Sequence, residues 1–159
     1  VVKNAQALGY TEPDPRDDLG GTDFMRKMLI LARDAGHQIE ASDVDLGVIL
    51  PESCLKANSV DEFYTELLKA DQYFNSLKEQ AAAQNKVIRY IGKLEEGKVV
   101  ISMQMVEETH PFYALSGSDN IISFTTERYK ERPLVVKGPG AGAEVTAGGV
   151  FADLVNVGA

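Results

Sequence analysis

A change in the spacing of apolar residues near position 87 constrains the fold most. Before it, apolar side chains recur every three or four residues, as on one face of a helix; after it, they alternate with polar neighbours. Val99, Ile101 and Met103 show the alternation, and the turn Glu95-Glu96-Gly97 joins their strand to one that begins at Val87. Helices followed by strands predict an α+β domain with a mixed, mostly antiparallel sheet covered on one face by helices.

Helix signals are strongest in two places. The segment Thr22 to Ala35 ends at Gly36 and is apolar over most of its circumference, which predicts a buried helix. Ser59 and Glu62 form a capping box before the next long apolar pattern. In chain order we predict the end of a helix at 1–9, a loop at 11–21, a helix at 22–35, a strand at 45–50, one long or broken helix at 60–85, a hairpin at 87–91 and 99–105, strands at 120–126 and 133–137, and a helix from Glu144.

Charge and composition exclude several classes of function. The 159 residues include 16 Lys and Arg against 24 Asp and Glu, a formal charge of -8 that repels nucleic acid and anionic lipid. No apolar run is long enough to span a membrane. The single cysteine, Cys54, has no His or Lys within the segment Pro51–Leu55 to activate it, and a lone cysteine fits a reducing compartment. We therefore expect a cytoplasmic protein with no nucleic-acid partner, no membrane partner and no metal.

Asp23 and Lys27 are the strongest candidates for chemistry. They are four residues apart, so they share one helix face, with the acid at the N-terminal end that the helix dipole favours. A surface ion pair contributing about 0.3–0.5 kcal/mol is one reading. The alternative is a lysine partly desolvated by Phe24 and Leu31 and held ready for proton transfer. The residue types and their spacing leave both readings open.

An acidic loop precedes this helix. It carries four carboxylates, two prolines that stiffen it, and the pair Gly20-Gly21, which permits close approach of a ligand to the backbone. The carboxylates either solvate the loop or form part of a binding site; they are Glu12, Asp14, Asp17 and Asp18.

A glycine-rich segment near the C-terminus matches the G-x-G-x-x-G/A sequence fingerprint of dinucleotide-binding domains. Gly138-x-Gly140-x-x-Ala143 follows a predicted strand and opens a predicted helix. The fingerprint should begin a βαβ unit with an acidic residue about 20 positions later, whereas 16 residues follow Ala143. We therefore predict no complete Rossmann domain here, although the turn can bring backbone N–H groups toward an anion or a cofactor held elsewhere.

The segment from Gly9 to Lys27 closely resembles the signature of the homoserine dehydrogenase family. It reads GYTEPDPRDDLGGTDFMRK, and the resemblance continues through VIRYIG at 87–92, HPF at 110–112, GSDN at 117–120 and GPGAGAEVTA at 138–147. Nearly the whole chain is covered. The pattern looks most like the dehydrogenase part of fused aspartokinase–homoserine dehydrogenases.

The resemblance implies roles for individual residues. Lys27 matches the proton-transfer lysine of the family and, with Asp18, makes up the implied catalytic set. Glu12 and Asp23 match the acids that bind homoserine. The remaining two matches are Gly9, which lines the substrate, and Gly142, which lies at the nicotinamide. The family interconverts L-homoserine and L-aspartate 4-semialdehyde with NADP or NAD, in the biosynthesis of threonine, methionine and isoleucine.

The resemblance also implies an architecture. Residues 1–137 would form a catalytic and dimerisation domain like the C-terminal domain of glyceraldehyde-3-phosphate dehydrogenase, and residues 138–159 a turn and helix that pack toward a nucleotide-binding domain. We expect a homodimer through the sheet. Because no Rossmann domain is evident, we also expect the chain alone to be inactive. The alternative is a dimerisation module that binds an amino acid without catalysis.

Overall fold

The chain forms two compact units of helices and short strands. The computed structural model describes residues 1–9, 11–117, 119–140 and 142–158. The first unit is Val1–Val106 and the second is Glu107–Ala159. The first contains α1 (Val2–Ala7), α2 (Pro15–Leu19), α3 (Thr22–Asp34), β1 (Asp45–Leu46), α4 (Glu52–Leu55), α5 (Val60–Lys69), α6 (Asp71–Ala83), β2 (Val87–Glu95) and β3 (Lys98–Val106); the second contains β4 (Asp119–Phe124), β5 (Leu134–Pro139) and α7 (Ala143–Gly158).

The predicted α+β class is confirmed, and the described strands form two small sheets where one was expected. In the first unit the strand order is β1-β3-β2, with β1 parallel and β2 antiparallel to β3. In the second unit β4 pairs with β5 along its whole length, from Asp119 opposite Pro139 to Phe124 opposite Leu134. Alternation identifies a strand but not its partner, because any strand with one apolar face can join either sheet.

Helix α3 packs against the β2–β3 hairpin and forms the core of the first unit. Met28, Leu29 and Ala32 on one face of the helix are buried against Val99 and Ile101 of β3. Gly92 of β2 permits this approach, because a Cβ at that position would lie 2.6 Å from Sδ of Met28. A second buried cluster is formed by residues of α4 and α5, among them Cys54 and Phe63.

The predicted burial of α3 is found on one face of the helix only. Its core face is buried, but the side chain of Ile30 is 66% exposed and that of Leu31 is 37% exposed. The hairpin packs against only one side of a helix, so the apolar residues on the other side stay in solvent within this chain.

The sequence prediction missed a short helix in the acidic loop. Asp14 caps α2 by accepting a hydrogen bond from the backbone N of Arg16 at 3.0 Å, and Pro15 occupies the first helical position. Both are recognised helix-start signals, but the flanking prolines and glycines favoured a loop prediction. The predicted strand at 45–50 is also shorter than expected, since β1 has only two residues.

The other local predictions hold with adjustments. The helix predicted at 60–85 is broken at Ala70 into α5 and α6. The predicted capping box is half formed. Ser59 Oγ accepts from the backbone N of Glu62 at 3.1 Å, but the Glu62 carboxylate accepts from the backbone N of Asn58, at 2.7 Å, instead of that of Ser59. The β2–β3 turn has positive φ at Glu96 and Gly97, as a two-residue hairpin turn requires. Among the described residues no helix is long and apolar enough to cross a membrane.

Candidate active site

The acidic loop and the first two turns of α3 form the candidate site. Gly20 and Gly21 join α2 directly to α3, so Asp17 and Asp18 of the loop lie on the helix immediately before the one that carries Asp23 and Lys27. Gly21 is the N-cap of α3 with φ of 84°, a backbone conformation that glycine adopts without strain. This junction connects the acidic loop to the N-terminal turn of α3, which carries Asp23, and helices α2 and α3 contact each other.

Asp23 and Lys27 form the predicted pair on one face of α3. Lys27 Nζ lies 2.8 Å from Asp23 Oδ2, and the two side chains are 56% and 46% exposed. An ion pair this exposed contributes only about 0.3–0.5 kcal/mol to folding. The desolvation expected from Phe24 and Leu31 is therefore small within this chain, and the ammonium remains open to a ligand.

Glu12 and Asp18 are brought together by the fold of the loop. The backbone N of Glu12 donates to Oδ2 of Asp18 at 2.9 Å, which closes the loop on itself. This bond fixes the Asp18 carboxylate in place, whereas the Glu12 residue is exposed. The arrangement offers one oriented carboxylate and one free carboxylate to a cationic group.

Asp14 has a structural partner, so it is not a free binding group. Nε of Arg16 donates to both carboxylate oxygens of Asp14, at 2.9 and 3.0 Å, and Nη1 donates to the carbonyl oxygen of Ala57. The hydrogen bond from Arg16 holds the pKa of Asp14 below its ordinary value. Sequence reasoning missed Arg16, although a lone cation among four carboxylates is a signal for such a clamp.

The remaining predicted site residues lie at two glycine turns. Gly9 follows α1 with φ of 73° and is exposed, with open space beside its Cα. Thr11 Oγ1 is shielded from solvent and has no hydrogen-bond partner in the described part of the chain. Tyr10, in the same stretch, lies outside the described residues.

Gly142 belongs to the second unit, immediately before α7. Its φ is 127°, and nothing lies within 4 Å of a Cβ built there, so its backbone is open to close approach. Ala141, the preceding residue in the sequence, lies outside the described residues. The first glycine of the apparent fingerprint, Gly138, is inside β5 and pairs with Asn120.

Tyr90 is a contributor to this region that sequence reasoning did not single out. It lies on β2, and a Cβ built on Gly21 would lie 2.4 Å from its hydroxyl oxygen. The alternating pattern predicts the strand but not which side chain meets the N-terminus of α3.

Comparison with known proteins gives consistent matches over almost the whole chain. The family profile described as homoserine dehydrogenase matches residues 1–155. A bifunctional aspartokinase/homoserine dehydrogenase 2, chloroplastic, from Zea mays is 49% identical over 161 residues, which cover 99% of this chain and 17% of that protein. A homoserine dehydrogenase from Schizosaccharomyces pombe is 45% identical over 160 residues, covering 99% of this chain and 43% of that protein.

Solved structures agree with these matches. The crystal structure of a putative homoserine dehydrogenase from Archaeoglobus fulgidus superposes with a TM-score of 0.71 at 28% identity, covering 98% of this chain and 41% of that one. The chain therefore spans less than half the length of each of these proteins.

Proposed function

The chain belongs to the homoserine dehydrogenase family, and we propose that it is the catalytic part of an enzyme that interconverts L-homoserine and L-aspartate 4-semialdehyde with NADP or NAD. The observation that carries the proposal is the Asp23–Lys27 pair, which stays open to solvent beside an acidic loop. A cation ready to exchange a proton, next to carboxylates that attract an ammonium, suits an amino-acid alcohol as substrate.

In this proposal the carboxylates bind the substrate and the lysine transfers the proton. Glu12 and Asp23 bind the ammonium group of the substrate, and Asp18, held by the backbone of Glu12, adds an oriented carboxylate. Lys27 donates a proton to the carbonyl oxygen of the aldehyde as that oxygen becomes a hydroxyl. In the oxidative direction the Lys27 amine accepts the proton from the hydroxyl. The nicotinamide, when bound, supplies or accepts the hydride.

The described residues fit contact with the nicotinamide cofactor but not binding of its pyrophosphate. The parallel strands β1 and β3 pair over two residues and are separated along the chain by β2, so they do not form a βαβ unit. The open backbone at Gly142 allows close approach of a flat ring. We therefore place the main cofactor site in another part of the longer protein.

The same proposal extends to assembly and domain roles. Residues 138–159 would pack toward the nucleotide-binding domain, which is supported by the exposure of Phe151 and Leu154 on α7. A homodimer through the sheets is supported by exposed apolar residues of the β4–β5 hairpin, among them Phe124 and Val136. The longer protein would act in amino-acid biosynthesis, either alone or fused to an aspartokinase.

The isolated chain should be folded but inactive. Purified residues 1–159 are expected to show no homoserine oxidation above background and no micromolar affinity for NADPH, because the described residues provide no pyrophosphate site. Titration calorimetry and a nicotinamide absorbance assay measure both quantities. Micromolar NADPH binding by this chain alone would overturn the assignment of the cofactor site to another segment.

Changing Asp23 to Asn should weaken both substrate binding and turnover. The substitution keeps the shape of the side chain but removes a charge that contacts Lys27 and the substrate ammonium. Hydrogen bonds to charged groups are worth about 1.5–3 kcal/mol, so kcat/KM for homoserine should fall about 10- to 100-fold, with the KM for cofactor unchanged.

Asp34→Asn is the matched control for this change. Asp34 is an exposed carboxylate at the last position of the same helix, and its substitution should leave both constants within about twofold of wild type. If Asp23→Asn behaved like Asp34→Asn, Asp23 would be a surface ion-pair partner. Retained amino-acid binding without any turnover by the wild-type longer protein would instead favour the non-catalytic module.

A further inference from the structure

We propose that Tyr90 is a positioning residue that fixes the N-terminal turn of α3 and thereby sets the location of Asp23 and Lys27. The inference rests on the proposed function, because it assigns a supporting role to a residue outside the substrate contacts. Tyr90 lies on β2 opposite Met103 of β3, and its side chain is partly buried against the core of the first unit.

The ring of Tyr90 packs against the residue next to Asp23. Its centroid lies 5.4 Å from that of Phe24, with the ring planes inclined at 47°. Phe24 lies between Asp23 and Lys27 in the first two turns of α3. A sideways movement of this turn would therefore have to separate or overlap the two rings, and tilted aromatic pairs of this kind resist such movement.

The hydroxyl of Tyr90 lies close to the backbone of two glycines, Gly47 and Gly21. It donates to the carbonyl oxygen of Gly47 at 3.0 Å, and Gly47 N in turn donates to the carbonyl oxygen of Ile101 at 2.7 Å. A Cβ on Gly21 would lie 2.4 Å from the same hydroxyl, so the backbone at the start of α3 rests directly on it. Burial raises the pKa of Tyr90 above its ordinary value.

The first turn of α3 needs such a support because its own cap supplies none. The N-cap is Gly21, which has no side chain to bind the free N–H groups of the turn. The position of Asp23 is therefore set by what the turn packs against. Misplacement of a catalytic group by about 1 Å can cost about 100-fold in rate, so a contact with no substrate role can still govern turnover.

Tyr90→Phe in the longer protein tests the proposal, with Tyr64→Phe as the matched control. Both substitutions remove one hydroxyl that makes a hydrogen bond, to Gly47 O for Tyr90 and to Gln6 Oε1 at 2.6 Å for Tyr64, and both keep the ring. Tyr90→Phe should lower kcat about tenfold and raise the KM for homoserine, with cofactor KM unchanged. Tyr64→Phe should leave all three constants within about twofold.

Hydrogen exchange separates positioning from general stability. Amide exchange over residues 21–27 should accelerate in Tyr90→Phe but not in Tyr64→Phe, even where both variants lose similar thermal stability. If Tyr90→Phe yields little folded protein, Phe24→Leu tests the support by Tyr90 from the helix side, by removing the ring pair, and should also lower kcat. Equal kcat and exchange in the Tyr90 and Tyr64 variants would overturn the inference. Failure of the proposed function is a separate outcome. It would be shown by a Lys27→Ala enzyme whose kcat equals that of wild type, whatever the Tyr90 variants do.

Discussion

Replacing Lys27 with alanine in the longer protein should lower kcat by about 10²–10⁴-fold, while cofactor affinity stays nearly unchanged. Proton transfer by a positioned side chain contributes a factor of this size. The loss cannot come from stability, because the ion pair between Lys27 and Asp23 is half exposed and is worth only a few tenths of a kcal/mol. Steady-state kinetics at saturating homoserine, with cofactor affinity measured by fluorescence titration, give both quantities.

Lys56→Ala is the matched control for this prediction. Lys56 forms an exposed ion pair with Glu52 at the same four-residue spacing, between the C-cap and the first residue of α4. Its removal should cost the same small amount of stability and leave kcat within about twofold of wild type. A Lys27→Ala enzyme as active as Lys56→Ala would reduce the Asp23–Lys27 pair to a surface ion pair, the first of the two readings that the sequence allowed.

Replacing Gly21 with alanine should destabilise the chain by about 2–5 kcal/mol. Gly21 has φ of 84°, which costs a non-glycine residue about 1–2 kcal/mol. A Cβ there would also lie 2.4 Å from the Tyr90 hydroxyl and 3.0 Å from Cδ1 of Leu46, and overpacking adds about 1–3 kcal/mol. Urea unfolding of the 159-residue chain followed by circular dichroism measures the change.

Gly36→Ala separates the two contributions. Gly36 has a similar φ of 90°, but nothing lies within 4 Å of a Cβ built there, so only the backbone cost should appear. In the double variant Gly21→Ala/Tyr90→Phe the clash with the hydroxyl is gone. The loss in free energy of unfolding of the double variant should therefore be smaller than the sum of the losses of the two single variants. Equal losses for Gly21→Ala and Gly36→Ala would show that Tyr90 does not press against the start of α3.

The elements that sequence predicts well are those with local signals. Helix α3 has an uninterrupted apolar pattern and a C-terminal glycine, and the β2–β3 hairpin has alternation around a Glu-Gly turn. The Asp23–Lys27 contact follows from helix geometry alone, because residues four apart always share a face. These features need no knowledge of what the rest of the chain contacts.

The features that sequence did not predict depend on distant partners. Arg16 reaches the carbonyl oxygen of Ala57, 41 residues away, and Tyr90 reaches that of Gly47, 43 residues away. The pairing of β4 with β5 in a sheet of their own, and the exposure of Ile30, likewise depend on which surfaces meet. Periodicity states that a face is apolar but not what covers it, so these contacts appear only in the folded chain.

Chemical rescue of Lys27→Ala by small primary amines tests proton transfer at this position most directly. Methylamine or ethylamine can occupy the space left by the side chain and exchange the same proton. The kcat of Lys27→Ala for homoserine oxidation should therefore rise with amine concentration. It should also rise with pH, because the neutral form of the added amine accepts the proton. The same amines should not raise kcat of Asp23→Asn or Lys56→Ala. A Lys27→Ala enzyme with near wild-type kcat at saturating homoserine, or one whose lost activity no amine restores, would contradict a proton-transfer role for Lys27.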